Sequence, residues 1–219
     1  MWVKFMTIKE RIIRKIASLL KLSFFGRNLQ AYVSAGGDQK FRYSFDCKRE
    51  GVILDVGAFE GEFAKFHADT ADMVICFETN KVAVKALHKR FHNYDNVRIY
   101  DFGIGSKTFR GRMVGKGPGA SIVFDDNADV IIRDVVSVFE ELNLNEVTLM
   151  KVNIEGGEFD LIQALCDSGL IRNIREIHIQ AHDFADKNLN NYLSMHRRLS
   201  AHFNLIKSFP YIWDFWIRK

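Results

Sequence analysis

A chain of 219 residues, 47% hydrophobic and 26% charged, suits one α/β domain with a full core. No apolar run reaches the length of a membrane span. The net charge of +4 is uneven: residues 1–30 hold seven Lys and Arg against Glu10 alone, which leaves a mildly acidic body and argues against nucleic-acid binding. Cys47, Cys76 and Cys166 follow no metal-like or disulfide-like spacing, which fits a reducing compartment and an expected cytoplasmic location.

Thr7-Ile8-Lys9-Glu10 is a capping box that opens a helix. Ile8, Ile12, Ile16 and Leu20 form its apolar face, and Arg11, Arg14, Lys15 and Lys21 occupy much of the rest. Charges interrupt the apolar run and no small-residue cleavage site follows, so it does not read as a signal peptide. Two readings stand for residues 7–22: packing on the domain or a partner subunit, or peripheral contact with an anionic membrane. Residues 1–30 are therefore set apart as a basic helical extension, and residues 31–219 as a single domain. Ala35-Gly36-Gly37-Asp38 marks a turn, and Lys40 to Asp46 alternates like a strand that leads into the sheet and closes over the ligand.

Gly51 to Gly61 reads as a buried strand, a glycine turn and the start of a helix. Its D-x-G-x-x-x-G spacing excludes a dinucleotide fingerprint, because Phe59 stands where the second glycine belongs. The only Gly-Lys pair, Gly115-Lys116, is followed by Gly117, so no phosphate loop is present. Asp55, Gly57, Ala58 and Gly61 are the candidate ligand-binding positions of this turn, with Gly57 admitting the ligand where a Cβ would collide. Met73 to Phe77 is a second buried strand and ends in Glu78. Lying 23 residues after Asp55, Glu78 is placed to accept from both hydroxyls of a ribose.

Val82 to Phe91 has helical spacing and Val97 to Tyr100 is the third strand, followed by Asp101-Phe102. Residues 106–127 look like an inserted hairpin; it is either a mobile turn or a flap with Lys116 or Arg112 facing an anionic group. A strand at 130–132 and a helix at 135–142 precede the fourth strand, which runs from Val147 into Asn153-Ile154-Glu155-Gly156-Gly157-Glu158. Phe159 to Leu165 is helical, Ile174 to Ile179 is the fifth strand, and Gln180-Ala181-His182-Asp183 follows it. Leu189 to Leu199 is a helix, and Phe203 to Phe209 and Tyr211 to Ile217 form a closing hairpin whose Trp213, Phe215 and Trp216 read as edge packing.

Leu54-Asp55-Val56-Gly57-Ala58, Phe77-Glu78 and Lys151-Val152-Asn153-Ile154-Glu155-Gly156-Gly157-Glu158 together resemble the FkbM family of S-adenosylmethionine-dependent methyltransferases, over roughly residues 50–184. The resemblance implies a Rossmann-like class I methyltransferase fold: α/β, with a mostly parallel seven-stranded sheet and a C-terminal antiparallel hairpin. It implies S-adenosyl-L-methionine as cofactor and places Asp101 and Phe102 beside the adenine. Asn153 stands where the family usually has aspartate, and Gln180 where it commonly has an acid, while His182 is kept.

The carboxyl ends of strands four and five would border the methyl group, which makes Asn153, Glu155, His182 and Asp183 the catalytic candidates. Glu155 and His182 can accept a proton; Asn153 can only orient a hydroxyl. A metal site from Asn153, Asp183 and His182 would lack a dense cluster of oxygen ligands, and none is expected. Three functions follow. The first is O-methylation of a sugar hydroxyl on a surface glycan or secondary metabolite. The second is a catalytically weak cofactor-binding protein. The third is an N-methyltransferase acting on protein or RNA.

Overall fold

The computed structural model describes residues 24–43, 50–114, 121–125, 128–182 and 188–219. The readings made for residues 7–22, Lys116 and Asp183 lie outside them.

The central sheet has seven strands in the order β10-β11-β9-β8-β1-β2-β3. Its parallel part comprises β1 (Val52–Val56), β2 (Met73–Phe77), β3 (Val97–Tyr100), β8 (Val147–Val152) and β9 (Ile174–Ile179). Antiparallel β10 (Phe203–Phe209) and β11 (Trp213–Arg218) complete it, with β11 against β9. The continuous apolar runs of β1, β2 and β8 have no solvated face, since helices cover both sides.

Strand alternation sends Ile53 and Asp55 to one face and Leu54 and Val56 to the other. On the first face Ile53, Val74, Cys76 and Leu149 pack against α2 (Glu62–Ala68) and α3 (Lys81–Arg90), through Phe63, Ala64 and Leu87. On the second, Leu54, Val56, Met150 and Val152 meet α4 (Val135–Glu141), α5 (Glu158–Asp167) and α6 (Asn188–Ser200). Register places Cys76, Asp55, Lys151, His178 and Phe215 side by side in one row across five strands of the first face.

Residues 24–34 form helix α1. It spans the boundary expected at residue 30 and packs Tyr32 against Phe209, 5.2 Å between ring centroids. The strand expected from Lys40 is instead a π-helical turn at Asp38–Arg42. The alternating aromatics serve different neighbours: Phe41 contacts Phe209 and Phe215, while Tyr43 contacts Phe63 and Phe66. Trp213, Phe215 and Trp216 are all buried, as edge packing requires.

The insertion is a second sheet of order β4-β7-β5-β6. The expected hairpin is present as β5 (Phe109–Val114) and β6 (Ser121–Phe124), antiparallel to each other. It is joined by β7 (Val130–Asp134) and by the short β4 (Gly103–Gly105) that follows β3 directly. Arg112 pairs with Asp125 at 3.2 Å within the hairpin. Among the described residues no helix is long and apolar enough to cross a membrane.

Candidate active site

A cavity of about 720 Å³ opens at the carboxyl ends of β1, β2 and β8, roofed on one side by the small sheet. Its floor begins at Gly57. The Gly57 and Ala58 amides both donate to the Phe77 carbonyl, at 3.0 and 3.1 Å, which ties the first turn to the end of β2. Gly57 has φ +81°, and a Cβ there would overlap the carbonyl oxygen of Asn153. The end of the neighbouring strand by itself demands glycine here. Gly61, at φ +77°, opens α2 where a Cβ would strike Leu87 and Phe91. Gly57→Val should therefore lose roughly 3 kcal/mol or more of stability through strain and overlap. Urea denaturation checks this; wild-type stability with ligand binding abolished would return the clash to the ligand.

Glu78 is 9% exposed and lines the cavity at the tip of β2. Its Oε1 accepts from the amides of Thr79 and Asn80, at 2.8 and 2.7 Å, and its Oε2 from the amide of Phe59 at 2.7 Å. Phe59 has φ +48°, so this residue of the first turn is held in an uncommon conformation with its N–H on Glu78. The carboxylate is fixed before any ligand arrives.

Beneath the turn, Lys151 and Asp55 form a buried ion pair, Nζ to Oδ1 2.9 Å, with side-chain exposures of 3% and 0%. Lys151 Nζ also donates to the Gly57 carbonyl at 2.6 Å. Asp55 does not line the cavity; it acts from below, through Lys151, on the turn. After β8, Glu158 is fully buried and accepts from the amides of Ile154 and Gly156, at 3.1 and 3.0 Å. It clamps a loop in which Glu155 takes φ +58° and Gly156 φ +114°. Asn153, Ile154, Glu155 and Gly156 all line the cavity.

The family model for the methyltransferase FkbM domain matches residues 39–204. The chain belongs to the FkbM methyltransferase family. No curated protein matches this FkbM methyltransferase in sequence. Among solved structures, it is similar to a Streptococcus mutans protein classed as a methyltransferase and solved in complex with SAH, at 11% identity and a TM-score of 0.49 over 77% of this chain and 88% of that one. It is also similar to a fibrillarin/Nop5p complex, at 13% identity and 0.48 over 80% and 75%. A third is an rRNA methylase from Streptococcus thermophilus, at 11% identity and 0.46 over 78% and 88%.

In this FkbM methyltransferase, His182 sits between two carboxylates: Nδ1 is 2.7 Å from Glu158 Oε1, and Nε2 is 3.3 Å from Glu155 Oε1. Burial alone would lower its pKa, but the bonds to Glu155 and Glu158 outweigh it and push the imidazole up to about 9. That direction favours the imidazolium at neutral pH. Asn153 lines the cavity, and its Oδ1 is buried without a hydrogen-bond partner among the described residues. Asp101 is exposed, and Phe102 packs on Phe77 and Tyr100 with the Arg133 guanidinium 4.8 Å from its ring; neither lines the cavity. The wall expected from them is made by Gly103, Ile104 and Gly105 with Ile132, because β4 turns in directly after Phe102.

Four residues of consequence were not singled out as site residues in the sequence: Lys151, Glu158, Arg42 and Ile132. Lys151 carried a signal, since a lysine inside one buried strand requires an acid in its neighbour. Arg42 carried none, because its place depends on the π-helical turn.

Proposed function

We propose that this FkbM methyltransferase uses S-adenosyl-L-methionine to methylate a hydroxyl oxygen of a sugar, in a glycan or a secondary metabolite. The observation that carries the cofactor reading is Glu78. A carboxylate held by three amides at the tip of β2, beside the Gly57 turn, suits the two hydroxyls of a ribose. Phe77, Ile104 and Ile132 supply apolar walls next to it for a base.

When bound, the cofactor supplies a methyl group on a positively charged sulfur. The chain's own work is placement and proton transfer. Asn153 Oδ1 accepts from a neighbouring hydroxyl of the sugar and so orients the reacting one. Glu155, on the same loop, takes the hydroxyl proton. His182 holds Glu155 in place from Nε2 while Glu158 fixes the imidazolium from Nδ1. Glu60, Glu62, Glu155 and Asp160 surround the cavity, and their charge opposes a polyphosphate acceptor while it suits a cationic cofactor and a neutral polyol.

Two measurements test this reading. Calorimetric titration with S-adenosylhomocysteine should give a saturable isotherm; no binding overturns the cofactor. Turnover on a panel of sugar acceptors should show no limb from His182 near neutral pH, because that group titrates only near about 9. A limb near neutral pH that disappears in His182→Gln would return the base to His182. If no acceptor is turned over and Asn153→Asp creates activity, the weak-binder reading takes its place.

The same histidine has a stability signature. Its folded pKa, about 9, lies above the ordinary value of 6.5, so its contribution is fully present below pH 6.5 and is lost as pH rises through about 9. His182→Gln should lower the urea midpoint at acid and neutral pH, and the difference from wild type should shrink above pH 9. An offset constant over that range would disprove the ion-pair account.

A further inference from the structure

The cofactor proposed above carries one obligatory anion, the α-carboxylate of its methionyl portion. A cavity ringed by acids must answer it with a cation. Among the described residues that line the cavity, the lysines and arginines are Lys151 and Arg42. Lys151 is committed to Asp55 and to the Gly57 carbonyl. Arg42 is different. It ends the π-helical turn Asp38–Arg42 and its side chain is 24% exposed. Its guanidinium carbon lies 5.0 Å from the ring centroid of Tyr43 and 5.1 Å from that of Trp213. Two aromatic rings therefore fix where the fork stands. Its Nη1 donates to Asp38 Oδ1 at 3.4 Å, an oxygen that also accepts from the Tyr32 hydroxyl at 2.8 Å. Nε is buried and has no hydrogen-bond partner among the described residues.

A buried Nε–H without a partner is costly unless an acceptor comes to it. The edge of a guanidinium that carries Nε matches the two oxygens of a carboxylate. Position agrees with chemistry. Glu78 stands at the tip of β2, and the sheet continues past β1 and β8 to β9 and β11. Trp213 precedes Asp214, which pairs with Ile179 at the end of β9, so Arg42 reaches the cavity from the side opposite Glu78. A ligand with its ribose on Glu78 and its amino-acid end across the Gly57 turn points that end toward Arg42.

We propose that Arg42 is the carboxylate subsite of this cavity and takes the α-carboxylate of the methionyl portion of the cofactor; this rests on the cofactor reading above. An acidic group on the acceptor is the other source of a carboxylate, and the ligand pair used in the test separates the two. S-adenosylhomocysteine and its decarboxylated analogue, which keeps the amine, are titrated calorimetrically into wild type, Arg42→Met and Arg42→Lys. Wild type should prefer S-adenosylhomocysteine by about 10- to 100-fold, the range of a charge-assisted bidentate contact. Arg42→Met should lose that preference while its affinity for the analogue stays within a few-fold of wild type. Arg42→Lys should fall between.

Equal wild-type affinity for the two ligands overturns the proposal, even if Arg42→Met does not fold. A preference that survives in Arg42→Met also overturns it, as does an equal loss for both ligands, which would make Arg42 a packing residue. Failure of wild type to bind either ligand overturns the cofactor reading itself, and this assignment with it.

Discussion

Lys151→Met should lower the unfolding free energy by about 3–5 kcal/mol, the range for a buried ion pair deprived of one partner. Lys151 and Asp55 are 3% and 0% exposed, and water cannot take the place of the missing ammonium. Asp55 Oδ2 already lacks a hydrogen-bond partner among the described residues, so Oδ1 would be left equally bare. The Gly57 carbonyl loses its donor at the same time, and the turn below the cavity loosens. Urea denaturation measures the loss. The double variant Asp55→Asn, Lys151→Met should recover much of it, because the uncompensated charge is gone. A single variant within about 1 kcal/mol of wild type would mean that the pair is incidental to stability.

Glu78→Ala should weaken S-adenosylhomocysteine binding by about a hundredfold or more. Two hydrogen bonds from ribose hydroxyls to a carboxylate contribute about 1.5–3 kcal/mol each. The same carboxylate joins Phe59 to Thr79 and Asn80, so its loss also releases the first turn from the second. Calorimetry on a variant whose unfolding curve confirms a native fold gives the answer. Affinity close to wild type would remove the ribose from Glu78 and with it the cofactor reading.

Much of this fold was legible because parallel strands buried on both faces advertise themselves. Val52–Val56, Met73–Phe77 and Val147–Val152 are near-continuous apolar runs, and each ends in the polar residues that reach the cavity. Glu78 and the Gly57 turn were readable for the same reason, as chemistry at strand tips. The pairings of side chains far apart in sequence were not readable. Lys151 meets Asp55 across 96 residues, and Glu158 meets His182 across 24, so the protonation of His182 could not be foreseen from its neighbours in the chain. Asp101 and Phe102 misled because position after a strand was taken to fix direction. Tilted contacts with Tyr100 and Phe77 hold Phe102, half-buried, against the hydrophobic core. Arg42 was hidden by an alternation of aromatics that a π-helical turn satisfies as well as a strand.

The row that places Asp55 beside Lys151 also bears on how the chain reaches its native state. A one-residue slip of β8 against β1 would turn Lys151 to the opposite face, beside Leu54 and Val56, and leave Asp55 facing hydrocarbon. Runs of valine, isoleucine and leucine offer little else to tell one alignment from the next. The ion pair therefore works as a proofreading mark within an otherwise uniform stretch. Misaligned sheets would carry two stranded charges, and the collapsing chain has reason to reopen them before the rest of the molecule sets around the error.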